Sequence, residues 1–205
     1  MSILTHRRLL VPALTVLLLT GLGLTVFVRG TWADAAPREP ASARDGPIAR
    51  VVQTAEGKEV CAAIRLPFPT DEVWQAITDY EHYGDICSFI HGAELTRGPD
   101  GCRVVGQART PLPSDVPFTI ELKHEQELFE YRSSWDECSG DVLVNRGGWV
   151  VRPAGEDETL LMLRLEVQVR GLPTFLLRNL SRHRLCDVLR AVHRRLLDGP
   201  SGKPW

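Results

Sequence analysis

Between Lys58 and Leu66 the chain reads KEVCAAIRL, an imperfect alternation that sets Val60, Ala62, Ile64 and Leu66 on one face of a strand, because successive strand side chains point to opposite faces. Pro67 and Pro69 close it. Thr70, with Asp71 and Glu72 ahead of Val73, predicts a helix start in which the hydroxyl caps free amides and the two acids meet the positive end of the dipole. Trp74, Ile77 and Tyr80 or Glu81 follow at helical spacing, and a second short helix or turn is expected over Glu81 to Cys87.

Beyond Phe89-Ile90 the period shortens to two. Ala93–Thr96 and Cys102–Arg109 read as the arms of a hairpin around the turn Arg97-Gly98-Pro99-Asp100-Gly101. Thr110–Pro117, with three prolines, is a connection. Phe118, Ile120, Leu122 and His124 then share one face of a strand, and Tyr131, Ser133 and Trp135 share one face of the next, in phase with Phe129. Val142–Arg152 and Thr159–Arg170 complete the set, the last with Leu161, Leu163, Leu165, Val167 and Val169 inward. Gly147-Gly148 reads as a bulge that bends the sheet. Short connections favour an antiparallel meander. From residue 173 to 197 the period lengthens again, with Leu176, Leu180, Leu185, Val188, Leu189, Val192 and Leu196 on an apolar stripe and Arg178, Arg182, Arg184, Arg190, Arg194 and Arg195 elsewhere around the helix. Gly199-Pro200 stops it. One long amphipathic helix laid on a curved antiparallel sheet is an α+β architecture.

Charge divides this chain into three parts that its near-neutral total of −2 hides. Residues 1–50 carry six basic and three acidic side chains, residues 51–170 carry 11 and 21, and residues 171–205 carry seven and two. An acidic body argues against nucleic acid, whose binders show a basic footprint over the folded domain. At the N-terminus, His6, Arg7 and Arg8 precede a stretch from Leu9 to Val28, followed by Ala33-Asp34-Ala35. That order predicts an export signal or, given its length, an uncleaved membrane anchor. Either way the body is expected outside the inner membrane, periplasmic, secreted or tethered. The expected organisation is a leader over 1–35, a flexible Ala/Pro/Arg-rich linker over 36–50, one domain over 51–198 and a tail over 199–205. Five cysteines, Cys61, Cys87, Cys102, Cys138 and Cys186, are an odd number without any C-x-x-C pair; buried single thiols fit this better than a metal site, and the spacing fixes no disulfide.

Particular residues add a resemblance. Val73-Trp74-Gln75-Ala76-Ile77-Thr78-Asp79-Tyr80-Glu81-His82-Tyr83, Trp149 with Arg152-Pro153 and Thr159-Leu160, and Gly171-Leu172-Pro173 before the final helix resemble the START-like helix-grip (SRPBCC) superfamily, and within it the polyketide cyclase/coenzyme Q-binding branch, over about residues 58–197. The resemblance implies a sheet of six to seven strands wrapped around the C-terminal helix, with two short helices after the first strand and an apolar cavity between helix and sheet. Candidate lining residues on the inward faces are Phe118, Ile120, Leu122, Tyr131, Trp135, Leu163, Leu165, Leu176 and Leu180, with His124 and Ser133 as polar groups able to orient a ligand. No nucleophile with a base, no paired carboxylates on an inward strand, no metal motif and no cofactor fingerprint are found. Two functions fit: noncatalytic binding or transport of a lipid, isoprenoid quinone or similar hydrophobic molecule, or a cyclase/aromatase-like enzyme acting on a polyketide. Contact of the basic helix with a membrane surface is a third, weaker idea. The oligomeric state is not legible.

Overall fold

The computed structural model describes residues 46–55, 57–98, 101–139 and 142–199. The expected leader, residues 36–45 of the expected linker and the tail from residue 200 lie outside the described residues. Eight strands form one antiparallel sheet: β1 (Ile48–Gln53), β2 (Lys58–Leu66), β3 (Ile90–Gly98), β4 (Gly101–Ala108), β5 (Val116–Glu127), β6 (Glu130–Ser139), β7 (Val142–Pro153) and β8 (Thr159–Val169). Their order, β1-β2-β8-β7-β6-β5-β4-β3, is a meander from β3 to β8 with the β1–β2 hairpin added beside β8. The strand the pattern did not predict is β1. It begins inside the expected linker, at Ile48 rather than near Val51, and pairs with β2 alone. An edge strand half-exposed along its length has no buried face to impose an alternation.

Two short helices follow β2. The first, α1 (Thr70–Thr78), buries Val73, Ala76 and Ile77. Its start is where the acids place it, but Thr70 does not cap it. Pro69 holds the capping position and its carbonyl accepts from the Val73 amide at 3.2 Å, while the Thr70 hydroxyl lies 3.3 Å from that of Thr159. A single 3₁₀ turn (Tyr80–His82) and α2 (Tyr83–Ile86) lead into β3. Asp79, between α1 and that turn, accepts from His82 Nδ1 at 2.8 Å and from Arg195 of the last helix, which ties the junction down.

That last helix, α3 (Thr174–Asp198), packs on β1, β2 and β8 and on both short helices. Val60, Ala62, Ile64 and Leu66 of β2, Trp149 and Val151 of β7, and Leu161 and Leu163 of β8 meet Leu185, Val188, Leu189 and Val192 of α3 in one core. Removing each such side chain from water is worth about 1.5–3 kcal/mol, so the grip is strongest over this half of the sheet. The other half, β3 to β5, curves away from the helix. β5 pairs with β6 only from Lys123↔Ser134 to Glu127↔Glu130, and upstream of Lys123 it pairs with β4 alone. The two strands diverge where the cavity described below widens.

The Gly147-Gly148 pair is not a bulge, since the ladders run through it without a shift in register. These glycines are required by close approach. A Cβ on Gly147 would lie 2.3 Å from the Arg164 carbonyl oxygen and 2.6 Å from the Trp135 ring, and one on Gly148 would lie 2.6 Å from the Ser133 carbonyl oxygen. The missing side chain at Gly147 makes room for the indole of its cross-strand partner, Trp135.

Candidate functional site: an apolar cavity under the C-terminal helix

Where the sheet leaves the helix, a cavity of about 180 Å³ remains. Its wall is overwhelmingly apolar. β4 and β5 contribute Val104, Phe118, Ile120 and Leu122; Trp135 stands on β6; Leu163 and Leu165 come from β8; and α3 closes it with Leu177, Leu180, Leu185 and Val188. Val116, Val142, Val169 and Leu177 pack together at the end of the cavity near the start of α3. Trp135 is held in place by its Nε1–H, which donates to Asn145 Oδ1 at 3.1 Å. Cys87 also lines the wall, and burial pushes its thiol up to about 12, so it behaves as an apolar wall group and not as a thiolate. Cys61, Cys102 and Cys186 are likewise free thiols; the Cys138 side chain lies outside the described residues.

The wall reaches the surface at Ala93, Glu94 and Arg109, on the edge strand β3 and just past β4. There the register of β3 shifts between His91 and Glu94, and Gly92 takes a left-handed φ of 59°, which L side chains rarely adopt. A bulge at a sheet edge turns the strand and ends regular pairing; here it marks the rim. Phe89 sits at the same rim. Its carbonyl accepts from the Arg109 amide at 2.9 Å, and the Arg184 guanidinium lies 4.8 Å from its ring centroid.

Seven of the residues picked out by alternation come together on this wall: Phe118, Ile120, Leu122, Trp135, Leu163, Leu165 and Leu180. Four do not. Leu176 is 45% exposed, and its neighbour Leu177 takes the inward position. Continuing the stripe of Leu185, Val188 and Val192 back in steps of three and four leads to Ser181 and Leu177, and the polar Ser181 disguises that phase. Tyr131, His124 and Ser133 do lie on the inward faces of their strands, but at the end of the sheet that α1 covers. Tyr131 stacks on Trp74 with centroids 5.2 Å apart and donates its hydroxyl to Asp71 Oδ1 at 2.6 Å. His124 packs edge-on to Trp74 at 5.4 Å, and burial lowers its pKa. Phe129, in phase with them on paper, is 76% exposed in the β5–β6 turn.

His124 nonetheless reaches the cavity through a neighbour. Its Nε2 is hydrogen-bonded to the Tyr80 hydroxyl at 3.0 Å, and Tyr80 lines the wall. Burial raises the Tyr80 hydroxyl well above its ordinary value, against a smaller opposing pull from the Ser133 hydroxyl beside it. Tyr83 follows the same rule: it is raised by burial, and its hydroxyl accepts from the Trp149 indole at 3.2 Å. Tyr80, Tyr83, Phe89, Arg109 and Arg184 are wall residues that the pattern did not select. Phe89 and Arg109 lie in connections, where no period operates; Tyr80 and Tyr83 stand on helical turns too short to mark a face; and Arg184 is a charge on an apolar stripe. Among the described residues no group of His, Cys, Asp and Glu is arranged to hold a metal ion, and no helix is long and apolar enough to cross a membrane.

A curved antiparallel sheet gripping one long helix over an apolar cavity defines a START-like, helix-grip domain. Residues 66–193 match the model of the family described as polyketide cyclase / dehydrase and lipid transport, and the chain belongs to that family. No curated protein sequence matches it. Among solved structures, the chain is similar to human StAR-related lipid transfer protein 5 (TM-score 0.66, 12% identity, 88% of this chain and 96% of that one). It is also similar to a STAR-related lipid transfer protein from Xanthomonas axonopodis (TM-score 0.63, 14% identity, 78% and 97%) and to the Zhui aromatase/cyclase from Streptomyces sp. R1128 (TM-score 0.57, 16% identity, 66% and 91%). At these identities the likeness is one of fold.

Proposed function

We propose that this protein binds and carries a hydrophobic small molecule, a lipid, isoprenoid quinone or similar, in the cavity between α3 and the sheet. One observation carries the reading: a largely preformed wall of Val, Leu, Ile, Phe and Trp side chains that comes to the surface at one rim. Such a wall removes apolar ligand surface from water at about 25 cal/mol per Å² and offers little to a polar solute. The family's description and the lipid transfer proteins of the same fold support the reading. The cavity is smaller than the roughly 300–1,000 Å³ usual for drug-sized ligands, which favours one slender chain or requires the rim to give way to a bulkier molecule. Native mass spectrometry of protein purified from its own host should show a copurifying lipid, and a fluorescent fatty acid or quinone analogue should be taken up. Ile120→Trp, which fills the cavity from β5, should weaken uptake roughly tenfold or more while the fold survives. Protein that brings no lipid and takes up neither analogue sinks the proposal.

The Tyr80–His124 pair favours a second reading, an enzyme of cyclase/aromatase type. Tyr80 lines the apolar wall and its hydroxyl is bonded to an imidazole, the kind of pair that general acid–base catalysis uses. In that reading His124 Nε2–H donates to the Tyr80 oxygen and the Tyr80 O–H in turn donates a hydrogen bond to a ligand carbonyl, polarising it with no net proton lost.

A further inference from the structure

The rim of the cavity carries two cations that the apolar wall does not need. Arg184 stands on α3 four residues after Leu180, so both fall on the same side of the helix and both line the cavity. Arg109 follows β4, and its amide is bonded to the Phe89 carbonyl at 2.9 Å, while the Arg184 guanidinium lies over the Phe89 ring at 4.8 Å. The two residues therefore meet at Phe89, Arg109 through its backbone and Arg184 through its guanidinium; both line the mouth, and the Arg109 charge is felt at Arg184. Among the described residues neither forms an ion pair or a side-chain hydrogen bond. Asp187, which acts on Arg184 from the next turn, is itself paired with Arg190 at 2.8 Å. Glu94, the acidic residue of the wall, is exposed on β3. Partial burial draws Arg184 below its ordinary value, Asp187 opposes this and the Arg109 charge adds to it.

We propose that Arg184 and Arg109 form an anion subsite at the mouth, and that the ligand is an amphiphile whose single apolar chain enters the cavity while a carboxylate or phosphate head stays between the two guanidinium groups. This rests on the hydrophobic-ligand reading and narrows it. A guanidinium fork presents paired N–H donors to a planar or tetrahedral oxyanion, and the half-buried Arg184 is screened less than a charge in open solvent. An anion there would also relieve the repulsion between two like charges held at one rim.

The test compares decanoate, decyl phosphate and decan-1-ol by displacement of a fluorescent probe from the full-length protein, with inorganic phosphate alone as a fourth arm. The acid and the phosphate ester should bind about tenfold or more tightly than the alcohol, the size of one charge-assisted hydrogen bond. Arg184→Gln and Arg109→Gln should each erase most of that preference without changing affinity for the alcohol, which also shows that the variants fold. Equal affinity for acid and alcohol, or variants that keep the preference, overturns the subsite and leaves the apolar cavity standing. Displacement by inorganic phosphate alone would make it a site for a free anion and overturn the amphiphile. Failure of all three decyl compounds to bind would remove the hydrophobic reading itself.

Discussion

Tyr80 and His124 are the residues whose chemistry depends most on what covers them. His124 is half-buried against Trp74 and Tyr80, and desolvation holds its folded pKa below the ordinary imidazole value of about 6.5. The unfolded chain therefore binds the proton more readily, so stability is intact at pH 7 and falls as pH drops through about 6.5 and below. His124→Gln should flatten that acid limb in thermal melts taken from pH 7.5 to 5; an unchanged slope removes His124 as its source. The same pair separates the two functional readings. Tyr80→Phe keeps the ring and removes the hydroxyl, so for a carrier it should leave uptake of a fluorescent fatty acid within about twofold. An enzyme of the cyclase type should lose turnover of its substrate by about 10²-fold or more, and full activity in that variant would rule out Tyr80 as the hydrogen-bond donor.

At the scale of elements, the last helix shows why a stripe of leucines is not enough to orient a helix. Leu176 and Leu177 are adjacent and chemically identical, yet one is 45% exposed and the other 4%. Leu177→Ala opens a gap in the cluster with Val116, Val142 and Val169 and should cost about 2–4 kcal/mol of stability by chemical denaturation. Leu176→Ala should stay within about 0.5 kcal/mol. Equal losses would mean that the helix is rotated from the orientation described. The six arginines outside the predicted stripe divide in the same way: Arg182, Arg190 and Arg194 are exposed, Arg178 is half-buried, Arg195 bonds to Asp79, and Arg184 turns into the cavity wall. Strands carry a plainer record. β5 alternates because one face is buried, and Phe118, Ile120 and Leu122 are where that alternation puts them. β1 shows no alternation because neither of its faces is buried, and Thr70 does not cap α1 because the preceding proline already starts the helix.

On the scale of the whole molecule, the segregated charge and the basic, apolar N-terminus motivate our proposal that the domain works outside the inner membrane, as a released or an anchored protein. N-terminal sequencing of the chain from its host decides between these: a start at Ala36 means cleavage, an intact Met1 or Ser2 means a tether, and recovery with cytoplasmic markers would contradict export altogether. Within the domain, the sequence alone determined the α+β class, the meander, the long terminal helix and the family likeness, because burial on one face writes a period of two or of 3.6 into any strand or helix that has such a face. It also marked seven of the wall residues. Only the tertiary structure decided which parts of the inward surface are core, which are sealed by α1, and which face the cavity. Alternation records the face on which a side chain lies, and it cannot record what is packed against that face. Tyr131 and Trp135 share a strand face, yet one stacks beneath a helix and the other walls the cavity, because α3 covers only half of the sheet and β5 parts from β6 over the rest.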